Sequence, residues 1–194
     1  MAIAEKQATT KCLTYDEYLN EGEITYRYDI VDGVRIVPPA PITLHQILME
    51  NLSHLLGQYR RKGGLGRVLY APLDVLIRKS PLRVRQPDIT VISVETYRAR
   101  NVRSIRGPLE FPPELVVEIL SDSDRKRMFA SKITDYESIG IKECWIVRPN
   151  DETIEVLSLD GKRLALVATY GQGQEVQSLV FADLRIAVAE VFAD

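Results

Sequence analysis

Three charged side chains in the middle of the chain stand beside apolar runs, and together they could hydrolyse a phosphodiester bond. Asp88 directly precedes the mostly apolar run 89–94. Glu118 lies inside the apolar run 115–120, and Lys132 follows in a polar segment with helical spacing. Two carboxylates suffice to hold Mg²⁺ together with water and substrate phosphate. Such a cation stabilises charge on the phosphoryl group, and a lysine beside it could orient the attacking water or neutralise developing charge.

The neighbours of these residues indicate where each side chain lies. Pro87 places Asp88 at the start or the edge of a strand, because proline cannot donate to the ladder inside a sheet. Glu118 is the only charged side chain in its apolar strand, so it needs either a metal ion or an ion pair with a nearby arginine. Lys132 and Tyr136 are four residues apart and share one helix face, so both could face the strand of Glu118. The alternative for such a lysine is an ordinary exposed position.

The bulk composition is that of one globular domain over residues 1–194, with 45% hydrophobic and 27% charged residues. The net charge of -2 gives no general positive field, so contact with a polyanion must come from local arginine clusters, at 98–106 and 125–127. The two cysteines of the chain, Cys12 and Cys144, are far apart in sequence and do not form the thiol pair of a metal site. No apolar run reaches the roughly 18 residues of a membrane helix, and no apolar signal core is present. We therefore expect a cytoplasmic protein without a membrane partner.

Hydrophobic periodicity and turn residues divide the chain into helices and strands. Capping boxes of Thr14 with Glu17 and of Thr43 with Gln46 predict two helix starts, and Asp32-Gly33 predicts a type I′ hairpin turn. The predicted helices cover residues 15–20, residues 43 to the glycines 63–64, and residues 125–138. The predicted strands are 26–31, 34–37, 65–71, 73–77, 89–94, 115–120, 143–147, 153–159, 163–170 and 175–180.

The order of these elements predicts an α/β fold of the mixed α+β kind, with helices flanking a central mixed sheet. Its core, residues 43–149, has the order helix, three strands, helix, strand. The strand 115–120 is almost continuously apolar and is expected at the centre of the sheet. An N-terminal hairpin and a C-terminal extension over 151–194, a hairpin plus an edge strand, add to this core. Residues 1–12 are expected to be flexible.

Short segments spread over nearly the whole chain carry a resemblance to a known family. They are Gln86-Pro-Asp88, Leu115 to Ser121, Lys132, Tyr136, Gly140-Ile141 and Glu143 to Val147, with Tyr28 to Gly33, Pro39-Ala-Pro41, His45-Gln46, Ala71 to Val75 and Ala189 to Phe192. In these segments the chain resembles the Uma-two family of putative restriction endonucleases. That family is grouped with the PD-(D/E)xK nucleases, whose common core has the same αβββαβ order.

The resemblance implies that Asp88 and Glu118 bind a divalent metal ion, Mg²⁺ or Mn²⁺. In the superfamily the catalytic lysine stands two residues after the second acid, which is Leu120 in this chain. A lysine on the following helix replaces it in the resembling family, and Lys132 occupies that position. The resemblance therefore assigns Asp88, Glu118 and Lys132 as catalytic residues.

Four further residues are candidate accessory residues of the same site. His45 and Asp29 match family positions, and Gln86 and Tyr136 stand inside the matching motifs. His45 could act on substrate in a cleft, or it could only cap or pack the helix. Tyr136 could contact a phosphate or orient the lysine, or it could be an ordinary half-buried aromatic residue.

The main functional prediction is a Mg²⁺-dependent endonuclease that hydrolyses DNA by metal-activated water, as a homodimer with one site for each strand. The alternative is a catalytically inactive module that keeps the nuclease fold and binds nucleic acid or a protein partner. Leu120 at the usual lysine position favours that alternative. A third possibility is an enzyme that acts on another phosphoester.

Overall fold

The computed structural model describes residues 12–63, 65–121 and 126–193. Residues 1–11 of the predicted flexible N-terminus and the side chains of the cluster 125–127 lie outside the described residues. The helices are α1 (Tyr15–Leu19), α2 (Thr43–Arg61), α3 (Val94–Ala99), α4 (Lys126–Ile139) and α5 (Val188–Val191), with a 3-10 turn at Val102–Ser104. The strands are β1 (Asp29–Val31), β2 (Val34–Ile36), β3 (Arg67–Tyr70), β4 (Val75–Arg78), β5 (Arg83–Arg85), β6 (Ile89–Ile92), β7 (Leu115–Ile119), β8 (Glu143–Arg148), β9 (Thr153–Asp160), β10 (Arg163–Tyr170), β11 (Glu175–Gln177) and β12 (Arg185–Ala187).

A six-stranded mixed sheet forms the centre of the fold, in the order β10-β9-β8-β7-β6-β3. The pair β7 and β8 is parallel, and the other neighbours are antiparallel. All five residues of β7 are buried, which confirms the prediction that this apolar strand lies inside the sheet. The predicted fold class, a central mixed sheet with flanking helices, is confirmed.

Helices cover both faces of this sheet. On one face, α2 buries Leu48, Leu52 and Leu56 against residues that include Val117. On the other face, α4 packs Tyr136 against residues that include Val116. Each fully buried leucine contributes about 1.5–3 kcal/mol of hydrophobic stabilisation. Because successive strand residues point to opposite faces, Glu118 shares the α4 face with Val116.

A second sheet of four strands, in the order β2-β1-β5-β4, lies at the N-terminal side of the chain. Its first hairpin turns at Asp32 (φ 52) and Gly33 (φ 82), which confirms the predicted type I′ turn. The segment 73–77, predicted as a strand of the core, instead forms β4 of this second sheet. The strand β5 was not predicted, because its short sequence alternates arginine with a single valine and has no apolar run.

Buried ion pairs attach this second sheet to α4. Arg85 on β5 donates to Asp135 at 2.6 Å and to Asp29 at 2.9 Å. Its neighbour on the same face, Arg83, contacts Asp135 at 2.9 Å. Since removing one partner of a buried ion pair is strongly destabilising, these contacts fix the position of α4 relative to β1.

The two predicted capping boxes have different outcomes. At α1, the Thr14 hydroxyl accepts the Glu17 N–H at 3.2 Å and the Glu17 carboxylate accepts the Thr14 N–H at 3.0 Å, as predicted. At α2 the prediction is wrong, because Thr43 is already helical and Ile42 is the N-cap residue without a side-chain hydrogen bond. The start of α2 follows the packing of its apolar face rather than a polar cap.

The C-terminal part adds a hairpin to the central sheet and a small sheet beside it. The predicted hairpin is present as β9 and β10, with β10 at the sheet edge. The predicted strand 175–180 is present over Glu175–Gln177 as β11, but it pairs with β12 in a separate two-stranded sheet instead of extending the central one. Val176 and Ile186 of this small sheet pack in the same buried cluster as Trp145 of the central sheet. Among the described residues, no helix combines the length and apolar character needed to cross a membrane. That residues 1–194 form one domain stays a prediction.

Candidate active site

The structure brings Asp88 and Glu118 together at one end of the central sheet. Asp88 directly precedes β6, and Glu118 is the fourth residue of the neighbouring strand β7. The Asp88 Oδ2 atom accepts the backbone N–H of Ile119 at 2.7 Å, which fixes this carboxylate beside the end of β7. Only 2% of the Asp88 side chain and 5% of the Glu118 side chain is exposed. Two carboxylates are therefore held close to each other and away from bulk water.

Arg27 places a guanidinium between these two carboxylates. Its Nη1 donates to Asp88 Oδ1, and its Nη2 donates to the carbonyl oxygen of Gln86 at 3.1 Å. The same Nη2 lies 3.9 Å from Glu118 Oε2. Arg27 was not among the residues predicted for the site. The available signal was its position two residues before Asp29, which puts both side chains on the same face of an extended segment.

Lys132 and Tyr136 both reach Glu118 from α4, as their spacing predicts. The Lys132 Nζ donates to Glu118 Oε2 at 2.8 Å, and the Tyr136 hydroxyl donates to Glu118 Oε1. The Lys132 side chain is 15% exposed, so it lies in the site rather than in solvent. The carboxylate of Glu118 therefore has a charged donor on one oxygen and a neutral donor on the other.

His45 joins the cluster from the first turn of α2. Its Nε2 lies 3.3 Å from Asp88 Oδ1, and 8% of its side chain is exposed. Among the described residues, its buried Nδ1 has no hydrogen-bond partner. The imidazole therefore contacts an acid of the cluster, and an action of His45 on substrate stays a prediction.

Asp29 and Gln86 support the cluster instead of completing it. Asp29 accepts the backbone N–H of Gln86 at 3.1 Å and a hydrogen bond from Arg85 at 2.9 Å. The Gln86 side chain accepts the backbone N–H of Tyr28 at 3.0 Å and donates to Asp74 at 2.7 Å. Through these hydrogen bonds both residues hold the second sheet against the segment that carries Asp88.

The charges of the cluster set the protonation of its members. Burial raises the pKa of Asp88, but the hydrogen bond from His45 and the charges of Arg27 and Lys132 outweigh it and lower the pKa to about 2. Burial raises the pKa of Glu118, and the charge of Lys132 offsets this only in part. Burial lowers the pKa of Lys132, yet the charge of Glu118 outweighs it and the pKa is raised. Asp88 is thus ionised and Lys132 protonated at neutral pH.

The donor set of the cluster fits a hard cation. Mg²⁺ commonly takes one or two carboxylates and completes its shell with water and substrate phosphate, and Asp88 with Glu118 match that pattern. Within the described ranges, no group of three or more His, Cys, Asp or Glu side chains could hold a metal ion by itself. Arg27 contacts or approaches the carboxylate oxygens that a shared cation would use.

The arginine stretch 98–106 lies around the C-terminal end of α3 and the 3-10 turn that follows it. The Arg100 guanidinium lies 5.5 Å from the centre of the Phe111 ring. Arg100 and Arg106 both line a cavity of about 430 Å³, together with segment 105–111. The cavity therefore lies beside α3 and its following turn.

Comparisons with known proteins agree with the observed fold. The model of the Uma2 family, described as "Putative restriction endonuclease", matches residues 14–189. A crystal structure of a putative nuclease belonging to DUF820, from Anabaena variabilis, is similar with a TM-score of 0.73 and 19% sequence identity. The similarity covers 93% of this chain and 97% of that one, and at this identity it shows the fold. No curated protein sequence matches the chain.

Proposed function

Because the chain belongs to the Uma2 family of putative restriction endonucleases, we propose that it is a metal-dependent endonuclease that hydrolyses DNA. The family and the nuclease-like fold support a nuclease, and they confirm the resemblance seen in the sequence. One observation carries the proposal to particular residues. Asp88 directly precedes β6 and Glu118 lies on the neighbouring strand β7, in one buried cluster in which Lys132 donates to Glu118.

In this proposal Asp88 and Glu118 hold Mg²⁺ or Mn²⁺. When bound there, the cation supplies charge stabilisation to the phosphoryl group and makes a nucleophile available at neutral pH. The protein contributes a fixed position for both acids, because each belongs to or directly precedes a strand of the central sheet. Fixed ligands matter because catalysis of this kind depends on positioning and on electrostatics that need no rearrangement during the reaction.

Lys132 is the cationic group of the proposed mechanism. One of its three N–H bonds is directed to Glu118, which leaves the ammonium able to donate to a phosphate oxygen or to a water molecule. Tyr136 holds the other oxygen of Glu118 and so fixes the orientation of that carboxylate. Lys132 thus replaces the lysine that the superfamily places two residues after the second acid, at Leu120 in this chain.

DNA is the proposed substrate, because the family model that matches the chain is described as a putative restriction endonuclease. The net charge of -2 gives no general attraction for a polyanion, and the cations Arg27 and Lys132 in the cleft are each paired with an acid. A divalent cation held by the two acids would supply the positive charge that attracts phosphate there. We further propose a homodimer, which would present one site to each strand. Sedimentation equilibrium with and without duplex DNA tests that state.

A cleavage assay tests the main proposal. Purified protein is incubated with plasmid, linear, branched and single-stranded DNA, with Mg²⁺, with Mn²⁺ and with excess chelator. We expect metal-dependent cleavage by the wild type and by the matched control Asp160→Asn, which alters an exposed aspartate on β9. We expect none from Asp88→Asn. A wild type that leaves every DNA intact with both metals would overturn the proposal.

A second candidate function is the inactive module, and Arg27 is the observation that favours it. A guanidinium between the two acids neutralises the charge that a metal ion would otherwise neutralise. Titration with Mn²⁺ separates the two candidates. An active site binds Mn²⁺ and loses that binding in Asp88→Ala and Glu118→Ala, whereas the module binds nucleic acid or a protein partner without metal.

A further inference from the structure

We propose that Arg27 occupies two positions: it fills the metal site in the free protein, and it contacts the phosphate of the nucleic acid when a divalent cation is bound. This proposal rests on the proposed function as a metal-dependent nuclease, and it adds a phosphate-binding residue that links metal binding to substrate binding. In this role the Arg27 guanidinium balances the charge of Asp88 and Glu118 before a metal ion binds, and it contacts the substrate phosphate afterwards.

The contacts of the guanidinium carry the first position. One terminal nitrogen donates to Asp88 Oδ1 and the other lies 3.9 Å from Glu118 Oε2. A cation that binds both carboxylates would coordinate the same oxygens that Arg27 contacts on Asp88 and approaches on Glu118. The metal ion and the guanidinium therefore cannot both contact these carboxylate oxygens at the same time.

The charge of the cluster leads to the same exclusion. In the free protein two carboxylates, Asp88 and Glu118, face two permanent cations, Arg27 and Lys132, in a buried cleft. A divalent ion added to this set would leave two uncompensated positive charges at low dielectric, which is costly. The movement of Arg27 away from the acids and the arrival of a phosphodiester, which carries one negative charge, reduce this excess.

Arg27 is the cation that is free to leave. It lies on the irregular segment between α1 and β1, and 28% of its side chain is exposed. Lys132 is less exposed, at 15%, and extends from the middle of α4. The backbone of Tyr28 is fixed by Gln86, so the movement is that of the Arg27 side chain alone.

Phosphate is the group that the displaced side chain would meet. The substrate phosphate completes the shell of a bound Mg²⁺, so it lies next to the acids that Arg27 has left. A guanidinium presents a planar set of donors that matches two phosphate oxygens, and it keeps its charge at any working pH. Metal binding should therefore strengthen substrate binding through Arg27.

Mn²⁺ binding without nucleic acid tests the first position. The free Mn²⁺ concentration is measured by electron paramagnetic resonance for wild type, Arg27→Gln and the matched control Arg78→Gln. Arg78 lies on β4 of the second sheet and pairs with an exposed aspartate, Asp32. We expect Arg27→Gln to bind Mn²⁺ about tenfold more tightly, because a competing cation is gone, and Arg78→Gln to match the wild type. Unchanged or weaker binding by a folded Arg27→Gln would overturn the proposal.

Cleavage kinetics test the second position and keep the two proposals distinguishable. At saturating Mn²⁺ we expect Arg27→Gln to raise the KM for a short duplex about tenfold. If Arg27→Gln binds Mn²⁺ more tightly but neither it nor the wild type cleaves DNA, Arg27 competes with the metal ion and the proposed nuclease function is wrong. If Arg27→Gln cleaves DNA with the wild-type rate and KM, the nuclease function is supported and the proposed phosphate contact of Arg27 is wrong.

A wild-type measurement covers the case in which Arg27→Gln does not fold. The Nε–H signal of Arg27, assigned by nuclear magnetic resonance, is followed during a titration with Mg²⁺. We expect it to move to the position and the rapid water exchange of an exposed arginine as the cation binds. A signal that stays unchanged at saturating Mg²⁺ shows that Arg27 does not leave, and the proposal fails.

Discussion

Glu118 and Glu143 are buried carboxylates on the adjacent parallel strands β7 and β8, yet their surroundings differ in kind. Glu143 accepts hydrogen bonds from the Trp145 indole N–H and from the Ser178 hydroxyl at 3.0 Å. It also accepts the backbone N–H groups of residues 179 and 180, at 2.8 and 2.9 Å. Its donors are all neutral, and two of them belong to the main chain.

Glu118 is surrounded by side chains that carry charge or can be displaced. Lys132 and Tyr136 donate to it from α4, and Arg27 approaches it from the irregular segment before β1. The lysine and the arginine are cations that a metal ion or a phosphate could replace or recruit. Backbone donors such as those of Glu143 cannot leave without local unfolding.

This contrast shows that burial alone does not identify a reactive carboxylate. Burial raises the pKa of both groups, so the direction of the shift is the same for Glu118 and Glu143. The hydrogen-bond partners make the difference. Neutral main-chain and side-chain donors hold a carboxylate in the fold, whereas cationic side chains beside a carboxylate can be replaced by a metal ion. We therefore assign Glu143 to the anchoring of the C-terminal segment and Glu118 to the site.

The strongest test of this contrast is the cleavage rate of Glu118→Gln beside that of Glu143→Gln. We expect Glu118→Gln to lose about 10³-fold in rate, since a proposed metal ligand is gone. Folded Glu143→Gln should cleave at nearly the wild-type rate. The rates are measured with Mn²⁺ on a plasmid, with circular dichroism as the control for folding. An equal loss in both variants would break the distinction.

The lysine next to Glu118 gives the second test. We expect Lys132→Met to lower the cleavage rate about 100-fold, the usual loss when one donor that stabilises charge in the transition state is removed. Leu120 lies two residues after Glu118 and so on the same side of the chain. A lysine introduced there, Leu120→Lys in the Lys132→Met background, should restore part of the rate. Full activity of Lys132→Met would remove this residue from the site.

Stability is the third test, and it concerns Glu143. Glutamine offers one acceptor oxygen and turns an N–H₂ group toward donors, so we expect Glu143→Gln to lower the free energy of unfolding by about 2 kcal/mol. Urea denaturation measures this value. Exposed Glu175→Gln on β11 serves as the control and should change little. If both variants unfold at the same urea concentration, the anchoring role assigned to Glu143 is wrong.

The pH dependence of stability gives the smallest effect. Burial raises the pKa of Glu143 above its ordinary value of 4.5, and the hydrogen bonds from Trp145 and from the main chain oppose it only in part. The folded chain thus binds this proton more tightly than the unfolded chain. The resulting stability is present below the unfolded pKa and is lost as the pH rises through the higher folded pKa.

We therefore expect wild type to lose stability relative to Glu143→Gln as the pH rises from about 4 through the folded pKa, because glutamine does not titrate. Urea denaturation at several pH values measures the difference between the two curves. If the stability of wild type and of Glu143→Gln changes with pH in the same way, the folded and unfolded chains bind the Glu143 proton equally.

Local pattern predicted the elements with long or regular signals. The helical spacing of Leu48, Leu52 and Leu56 predicted α2, and the apolar run of β7 predicted its place in the sheet. The short elements β5, β12 and α3 were missed, because their three to six residues have neither a continuous apolar run nor a clear period. The segment 73–77 was recognised as a strand but assigned to the wrong sheet.

The sequence by itself determined the family, the order of the core elements and the positions of Asp88, Glu118 and Lys132 within or directly beside them. Each single motif and each element is recognised from residues close together in the chain. Only the tertiary structure placed Arg27 against Asp88, from which it is 61 residues distant. That contact exists because the second sheet docks against the central one, and a charged pair formed by docking leaves no local period from which it could be predicted.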